Sequence, residues 1–179
     1  MSVLEIPAGA RAVALVGAKA AGRVALVDEA DYETVGGYRW YVAQYKRVDG
    51  TLGAIYAQTS GSRKMHRLIT GYALTDHINR NGLDNRRCNL RPATKAQNRA
   101  NSSKQAGSSS RFKGVVRYGT AGKWRALIAH GGRVVSLGYY VSDVDAARAY
   151  DVAAIAYWGP FAGTNFPASD YPGITQIAA

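Results

Sequence analysis

The sequence predicts an α+β chain of two domains: a β-rich N-terminal part leading into a strand–loop–strand–helix segment, then a small three-stranded antiparallel sheet packed on one helix. Three observations carry that prediction. Short apolar runs rich in Val, Ile, Tyr and Trp recur with Gly, Asp-Gly and Asn-Gly turn signals between them, as antiparallel strands require. A Ser-rich stretch from Ser102 to Ser110 interrupts the chain with the composition of a flexible linker. After the last strand-like run comes an Ala-rich helical segment with Ser142 placed to cap it.

Taken in order, Ala12 to Val16 and Val24 to Val27 are two similar apolar runs separated by Gly17 and Gly22, which predicts a hairpin. Asp28 to Val35 suits a short helix ended by Gly36-Gly37. Arg39 to Tyr45 and Leu52 to Ala57 flank Asp49-Gly50 as a second hairpin, and their aromatic residues are expected to fill the core beneath the sheet. Lys64 to Ile69 suits a short helix or strand leading to Gly71. Leu74 to Ile78 then predicts a strand ending in Asp76 and His77, Asn79 to Gly82 a turn, and Asn89 to Arg91 a returning strand. Thr94 is expected to cap a helix from Lys95 to about Asn101.

Beyond the stretch 105–110, read as the linker, Phe112 to Tyr118, Lys123 to Ile128 and Arg133 to Gly138 are three short strands. Turns at Gly119 to Gly122 and at His130-Gly131-Gly132 separate them. Ser142 with Asp145 three residues on has the spacing of a capping box. The helix that follows shows a polar stripe at Asp145, Arg148 and Asp151, and Gly159-Pro160 ends it. One helix covers one face of a three-stranded sheet and leaves the other open.

The charge is more informative than the composition. With 47% hydrophobic and 20% charged residues the chain reads as globular, and no apolar run approaches the roughly 18 residues of a membrane span. The start Met1 to Pro7 lacks the basic opening of a secretory signal, and Cys88, the single cysteine, allows neither an internal disulfide nor a multi-cysteine zinc cage. These features predict an intracellular protein with no membrane partner. The net charge is +11, yet residues 1–60 and 119–179 are each neutral overall. The whole excess lies in residues 61–118, where thirteen Lys and Arg face only Asp76 and Asp84. A block of one sign across structured motifs predicts a polyanion partner, double-stranded DNA.

Inside that block, Asp76-His77 is followed by a cluster of Asn and Arg: Asn79, Asn81, Asn85, Arg86, Arg87, Asn89, Arg91 and, further on, Asn98. Hydrolysis of a phosphodiester needs an activated water and charge stabilisation at phosphorus. A neutral His can accept the proton, and a carboxylate with an amide oxygen can hold one hard cation. His77 is the candidate base, with Asn89 to fix its ring, and Asp76 with Asn98 are the candidate metal ligands. Adjacent strand residues point to opposite faces, so a bulge or strand end is expected at Asp76-His77. Arg86, Arg87 and Arg91 are read as phosphate contacts. His66 is read as structural or as a phosphate contact, and His130, at a Gly-Gly turn, as exposed.

The run from Asp76 to Asn98, with Met65 to Ile69 before it, closely resembles the HNH motif of homing endonucleases. That resemblance implies a ββα-metal nuclease core (motif 63–101, within a first domain 1–104). It implies His77 as general base oriented by Asn89, and one magnesium or manganese ion on Asp76 and Asn98.

A second resemblance covers 111–167. Gly114-Val115, Gly122-Lys123-Trp124, Leu137-Gly138-Tyr139, Ala146 to Asp151 and Asn165-Phe166-Pro167 look like the APETALA-type (ethylene-response-factor) DNA-binding domain, with 168–179 as a tail. In that family strands of the sheet enter the major groove, which implies DNA contacts from Arg117, Lys123, Trp124, Arg125 and Arg133; Lys113, alternating with Gly114 on the first strand, is read as a further contact. Trp124 suits a DNA contact or the sheet core equally. First-strand Gly114-Val115-Val116 departs from the family's Arg-rich pattern. The two resemblances together imply a phage-type homing endonuclease acting in a bacterial or phage-infected cytoplasm, as monomer or homodimer and without an obligate protein partner. The alternative is a non-catalytic DNA-binding transcriptional regulator.

Overall fold

The computed structural model describes residues 5–46, 50, 52–104, 107–120 and 122–174, with the backbone alone described at Lys46. Asp49 of the expected Asp49-Gly50 turn, Gln105 and Ala106 of the expected linker, Ala121 of the turn after Gly119, and residues 1–4 and 175–179 lie outside the described residues. The chain divides into two compact units, Met1–Thr94 and Lys95–Ala179.

In the first unit β1 (Ala10–Val16) and β2 (Val24–Asp28) form the expected hairpin. The turn between them uses Gly17 and Gly22, both at positive φ (+89° and +74°). Strands β3 (Trp40–Lys46) and β4 (Leu52–Gln58) pair antiparallel, with a register shift between Gln44 and Lys46. The four strands make one sheet in the order β2-β1-β3-β4. Its centre is a parallel contact, Leu15 opposite Trp40 and Val16 opposite Tyr41. Parallel neighbours need a crossover. Here it is a turn of 3-10 helix (Glu29–Asp31) and α1 (Tyr32–Gly36).

Val13, Leu15, Val27, Val35, Trp40 and Met65 bury themselves between this sheet and the short helices. Each such side chain contributes about 1.5–3 kcal/mol on leaving water. Trp40 is 1% exposed, and its indole Nε1 donates to Val35 O at 2.9 Å. The aromatic filling expected of this sheet holds for Trp40, whereas Tyr45 is exposed. Lys64 to Ile69 resolves as helix, α2 (Met65–Thr70), closed by Gly71 in the left-handed region. β5 (Thr75–His77) and β6 (Leu90–Pro92) then form a two-stranded antiparallel ribbon.

The second unit opens with α3 (Lys95–Ala100). Strands β7 (Val115–Tyr118), β8 (Lys123–His130) and β9 (Arg133–Tyr140) form an antiparallel sheet in that order. Helix α4 (Asp143–Trp158) covers one face. Its small residues Ala146, Ala147 and Ala154 let it approach Val115, Ala126 and Ile128 closely. Gly114 takes φ +73° directly under α4, where an added Cβ would lie 1.9 Å from the Tyr150 ring.

Two helix details differ from expectation. Ser142 Oγ accepts from Val144 N at 3.1 Å, a simple cap in place of the expected box with Asp145. Asp151, expected on a solvent-facing stripe, is 0% exposed. Its carboxylate accepts from Asn165 N (2.8 Å), Asn165 Nδ2 (3.0 Å), Phe166 N (2.9 Å) and the Tyr171 hydroxyl (2.8 Å). It thereby ties the chain after α4 onto the helix, and Asn165 in turn bonds Lys113 N and O. Within the Ser-rich stretch, Ser108 Oγ donates to Val115 O, Ser109 Oγ accepts from Arg117 N and Ser110 is buried.

Among the described residues no helix is long and apolar enough to cross a membrane.

Candidate nucleic-acid interface

The ribbon β5–β6 holds Asp76 and His77, the centre of the expected chemistry. Its register is regular, with Asp76 opposite Arg91 and His77 opposite Leu90, so the expected bulge at Asp76-His77 is not there. Asp76 is buried and accepts from Arg91 Nε at 2.8 Å, and the same oxygen stands 2.7 Å from Arg91 Nη2. A magnesium or manganese ion on this carboxylate would compete with that guanidinium. Among the described residues no group of three or more His, Cys, Asp or Glu gathers to hold a metal. Asn98, the other expected ligand, lies on α3 in the second unit.

His77 is buried with its Nε2 3.4 Å from Asn85 Oδ1, and its ring sits 5.0 Å from His66 and 5.6 Å from Tyr56. Burial holds the His77 imidazole below the usual histidine range, partly offset by Asn85 and Asp76. Burial likewise lowers His66, to about 3, helped by the nearby charge of His77, Lys64 and Arg67. His66 Nδ1 has no hydrogen-bond partner among the described residues.

Asn89, the expected orienter of the His77 ring, does different work. Its amide oxygen accepts from Asn79 N at 2.9 Å and its Nδ2 donates to Asp84 O at 2.8 Å. The other Asn residues act in the same way. Asn79 Oδ1 accepts from Asn81 N and Asn81 Oδ1 from Leu83 N, side chains standing in for backbone turns. The Asn cluster is therefore what folds the loop between β5 and β6. Leu26 and Asp84 form a bridge that docks this loop on β2.

The three Arg read as phosphate contacts are each paired with a carboxylate. Arg86 donates to both oxygens of Asp84 at 2.8 Å. Arg87 does so to Asp31, also at 2.8 Å, and reaches Ile69 O. Arg91 holds Asp76. Burial works against the Asp84 charge, but the Arg86 and Asn79 hydrogen bonds keep its carboxyl below the usual range.

The open face of the second unit offers a different arrangement. Val115, Ala126 and Ile128 point to α4, so by alternation Val116, Tyr118, Lys123, Arg125 and Leu127 point away from it. Arg125 is held on that face: its Nε donates to Ser136 Oγ at 3.0 Å and its guanidinium lies 5.6 Å from the Tyr139 ring. The Tyr118 and Tyr139 rings meet at 4.5 Å, and both are about half exposed. Lys123 and Arg133 are exposed at the ends of their strands.

Arg117 is exposed too, but shares the Val115 face, with its guanidinium 5.9 Å from Trp124. Trp124 itself packs against the core beneath α4. Lys113 turns inward, its Nζ donating to Ala100 O. Sequence reading passed over Tyr118, Ser136 and Tyr139. Alternation with Arg125 could have found Tyr118 and Tyr139, whereas Ser136 joins that face only through the register shift in β9.

A three-stranded antiparallel sheet with one face closed by a helix leaves the other, which carries Arg, Lys and Tyr, open to an anionic partner. No family model matches the chain. It is 41% identical over 70 residues to the AP2-like ethylene-responsive transcription factor AIL5 of Arabidopsis thaliana (34% of the chain, 12% of the relative). It is 40% identical over 72 residues to the AP2-like ethylene-responsive transcription factor ANT of Arabidopsis thaliana (35% of the chain, 13% of the relative). A third Arabidopsis thaliana relative, the ethylene-responsive transcription factor WRI1, is 44% identical over 64 residues (35% and 15%). The chain thus spans 12–15% of the length of these relatives.

The similarity supports a DNA-binding domain of the AP2/ERF type over about a third of the chain. It overturns the expected endonuclease. The relatives are named as transcription factors and not as nucleases, and an HNH ββα-metal core is not shown. The phage-type setting finds no support among these relatives. The non-catalytic regulator is the better supported reading.

Proposed function

We propose that this chain is a DNA-binding transcriptional regulator that reads duplex DNA through the open face of the β7–β8–β9 sheet and performs no chemistry on it. The observation that carries the reading is Arg125, held by Ser136 and Tyr139 on the face opposite α4. An Arg fixed in this way can present a bidentate donor pair to a base edge in the major groove. Lys123 and Arg133 on the same sheet, with Arg117 at its end, supply charge for flanking phosphates. The relatives' names support the same partner and function, and transcription factors of plants point to a nuclear place of action in preference to a bacterial cytoplasm.

Selection of bound sequences from a random duplex pool, followed by titration on the selected site, tests this. Arg125→Ala is expected to weaken the selected site by about 1–3 kcal/mol, roughly five- to 150-fold, and to relax preference at one base position. Unchanged affinity and preference in that variant would remove Arg125 as a reader. A wild-type chain with no preference among duplexes would sink the regulator itself.

A further inference from the structure

Beside the sheet the second unit contains a cleft of about 710 Å³ that the DNA-reading face does not account for. Phe112, Val115 and Trp158 are among its apolar lining residues. The same lining carries cations: Lys95 and Arg99 one helical turn apart on α3, Lys104 beyond the helix, Lys113, and Arg133 at the start of β9. None of the described residues that line it carries a carboxylate. This sets these cations apart from Arg86, Arg87 and Arg91, each of which is paired with an acid.

The cleft is also continuous with the open face. Val116 and Leu127, which point away from α4, are among its lining residues, whereas Arg133 lies opposite His130 on the α4 side of β8. Helix α3 is fixed in place here, because Ala100 O accepts from Gly163 N at 3.1 Å and from Lys113 Nζ.

We infer that this cleft is a second DNA-contacting surface, which holds the phosphodiester backbone of the duplex whose bases lie on the sheet. The inference rests on the DNA-binding reading above and extends it to residues outside the strands. The polymer carries one negative charge for about every 1.7 Å of axis, so a cationic lining beside a bound groove meets phosphate at whatever sequence is read. The contacts are electrostatic and indifferent to sequence. They set register and affinity, while the sheet sets preference.

The test is salt-dependent duplex binding by the full chain and by a Lys95→Ala/Arg99→Ala/Lys104→Ala variant, on a selected and an unrelated duplex. All three side chains are on the surface or half-buried, and circular dichroism with a melting curve confirms that the variant is folded. The slope of log affinity against log salt is expected to fall by about 2 to 3, at about 0.9 for each phosphate that is no longer neutralised. Affinity should drop by the same factor on both duplexes, leaving the preference ratio intact. An unchanged slope in a folded variant that still binds DNA would overturn the inference and leave the sheet-reading function standing. A wild-type chain that binds no duplex would overturn both. A labelled acidic peptide that binds the wild-type chain, stays bound under saturating DNA and is released by the triple substitution would reassign the cleft to a protein partner.

Discussion

Residue by residue, the clearest lesson lies in the loop between β5 and β6. Asn and Arg there have the types and spacing of a phosphodiester site, yet Asn79, Asn81 and Asn89 bond the loop itself and Arg86, Arg87 and Arg91 bond carboxylates. The same chemistry that would meet a phosphate, a planar donor fork or an amide, serves equally to satisfy a buried backbone. His66 couples the stability of the fold to pH. Its imidazole is buried against His77 and near Lys64 and Arg67, with Asp76 and Asp84 acting on the His77 side, and its pKa falls to about 3. Because the unfolded chain takes up a proton near pH 6.5 and the folded one resists until about pH 3, stability is full above 6.5 and declines as pH falls toward 3. Between pH 7 and pH 5 the loss is about 2 kcal/mol for one such histidine. Urea unfolding followed at both pH values measures it, and His66→Leu is expected to flatten the difference. Parallel pH profiles for the two proteins would show that His66 does not set it.

Among the elements, the Gly114–Tyr150 contact decides how β7 meets α4. Only a residue without Cβ fits at φ +73° with the Tyr150 ring and Leu127 O this close. Gly114→Ala therefore forces either the ring or the strand to move and is expected to destabilise the second unit by about 2–5 kcal/mol. A melting temperature lower by roughly 10 °C or more should report it. Combining it with Tyr150→Leu should cost less than the two single changes added together, since one clash underlies both. Strict additivity would show that the contact is not the cause.

Element by element, much of this architecture was legible. Short apolar runs and turn residues located β1 to β9, and Ser142 with Gly159 bounded α4, because these are local preferences of backbone and solvent. The parallel pairing of β1 with β3 was not legible, since it depends on which strand the crossover delivers beside β1. Nor was the burial of Asp151, whose partners lie 14 to 20 residues further along the chain.

At the scale of the whole molecule, the charge excess in residues 61–118 divides into two kinds. In the first unit Arg86, Arg87 and Arg91 are internally neutralised, whereas in the second Lys95, Arg99 and Lys104 line a cleft with no acid among its described residues. The division predicts that duplex binding resides in the second unit. A fragment of residues 95–179 is expected to keep the sequence preference of the full chain and bind within about tenfold of it, while residues 1–94 bind weakly and without preference. Side-by-side gel-shift titrations of the three proteins check this. A first unit that binds as tightly as the full chain would contradict it.

Composition and pattern alone determined that the chain is α+β, that a Ser-rich stretch precedes a three-stranded sheet with one helix, and that its excess charge suits a polyanion. Those properties follow from local periodicity and from counting charges, which need no knowledge of long-range contacts. Only the tertiary structure decided which cations are available. A guanidinium is free or neutralised according to the carboxylate that folding brings to it, and for Arg87 that partner, Asp31, lies 56 residues away. Folding likewise committed Asn89 to bonds within its own loop and brought Arg125, Ser136 and Tyr139 together on one face.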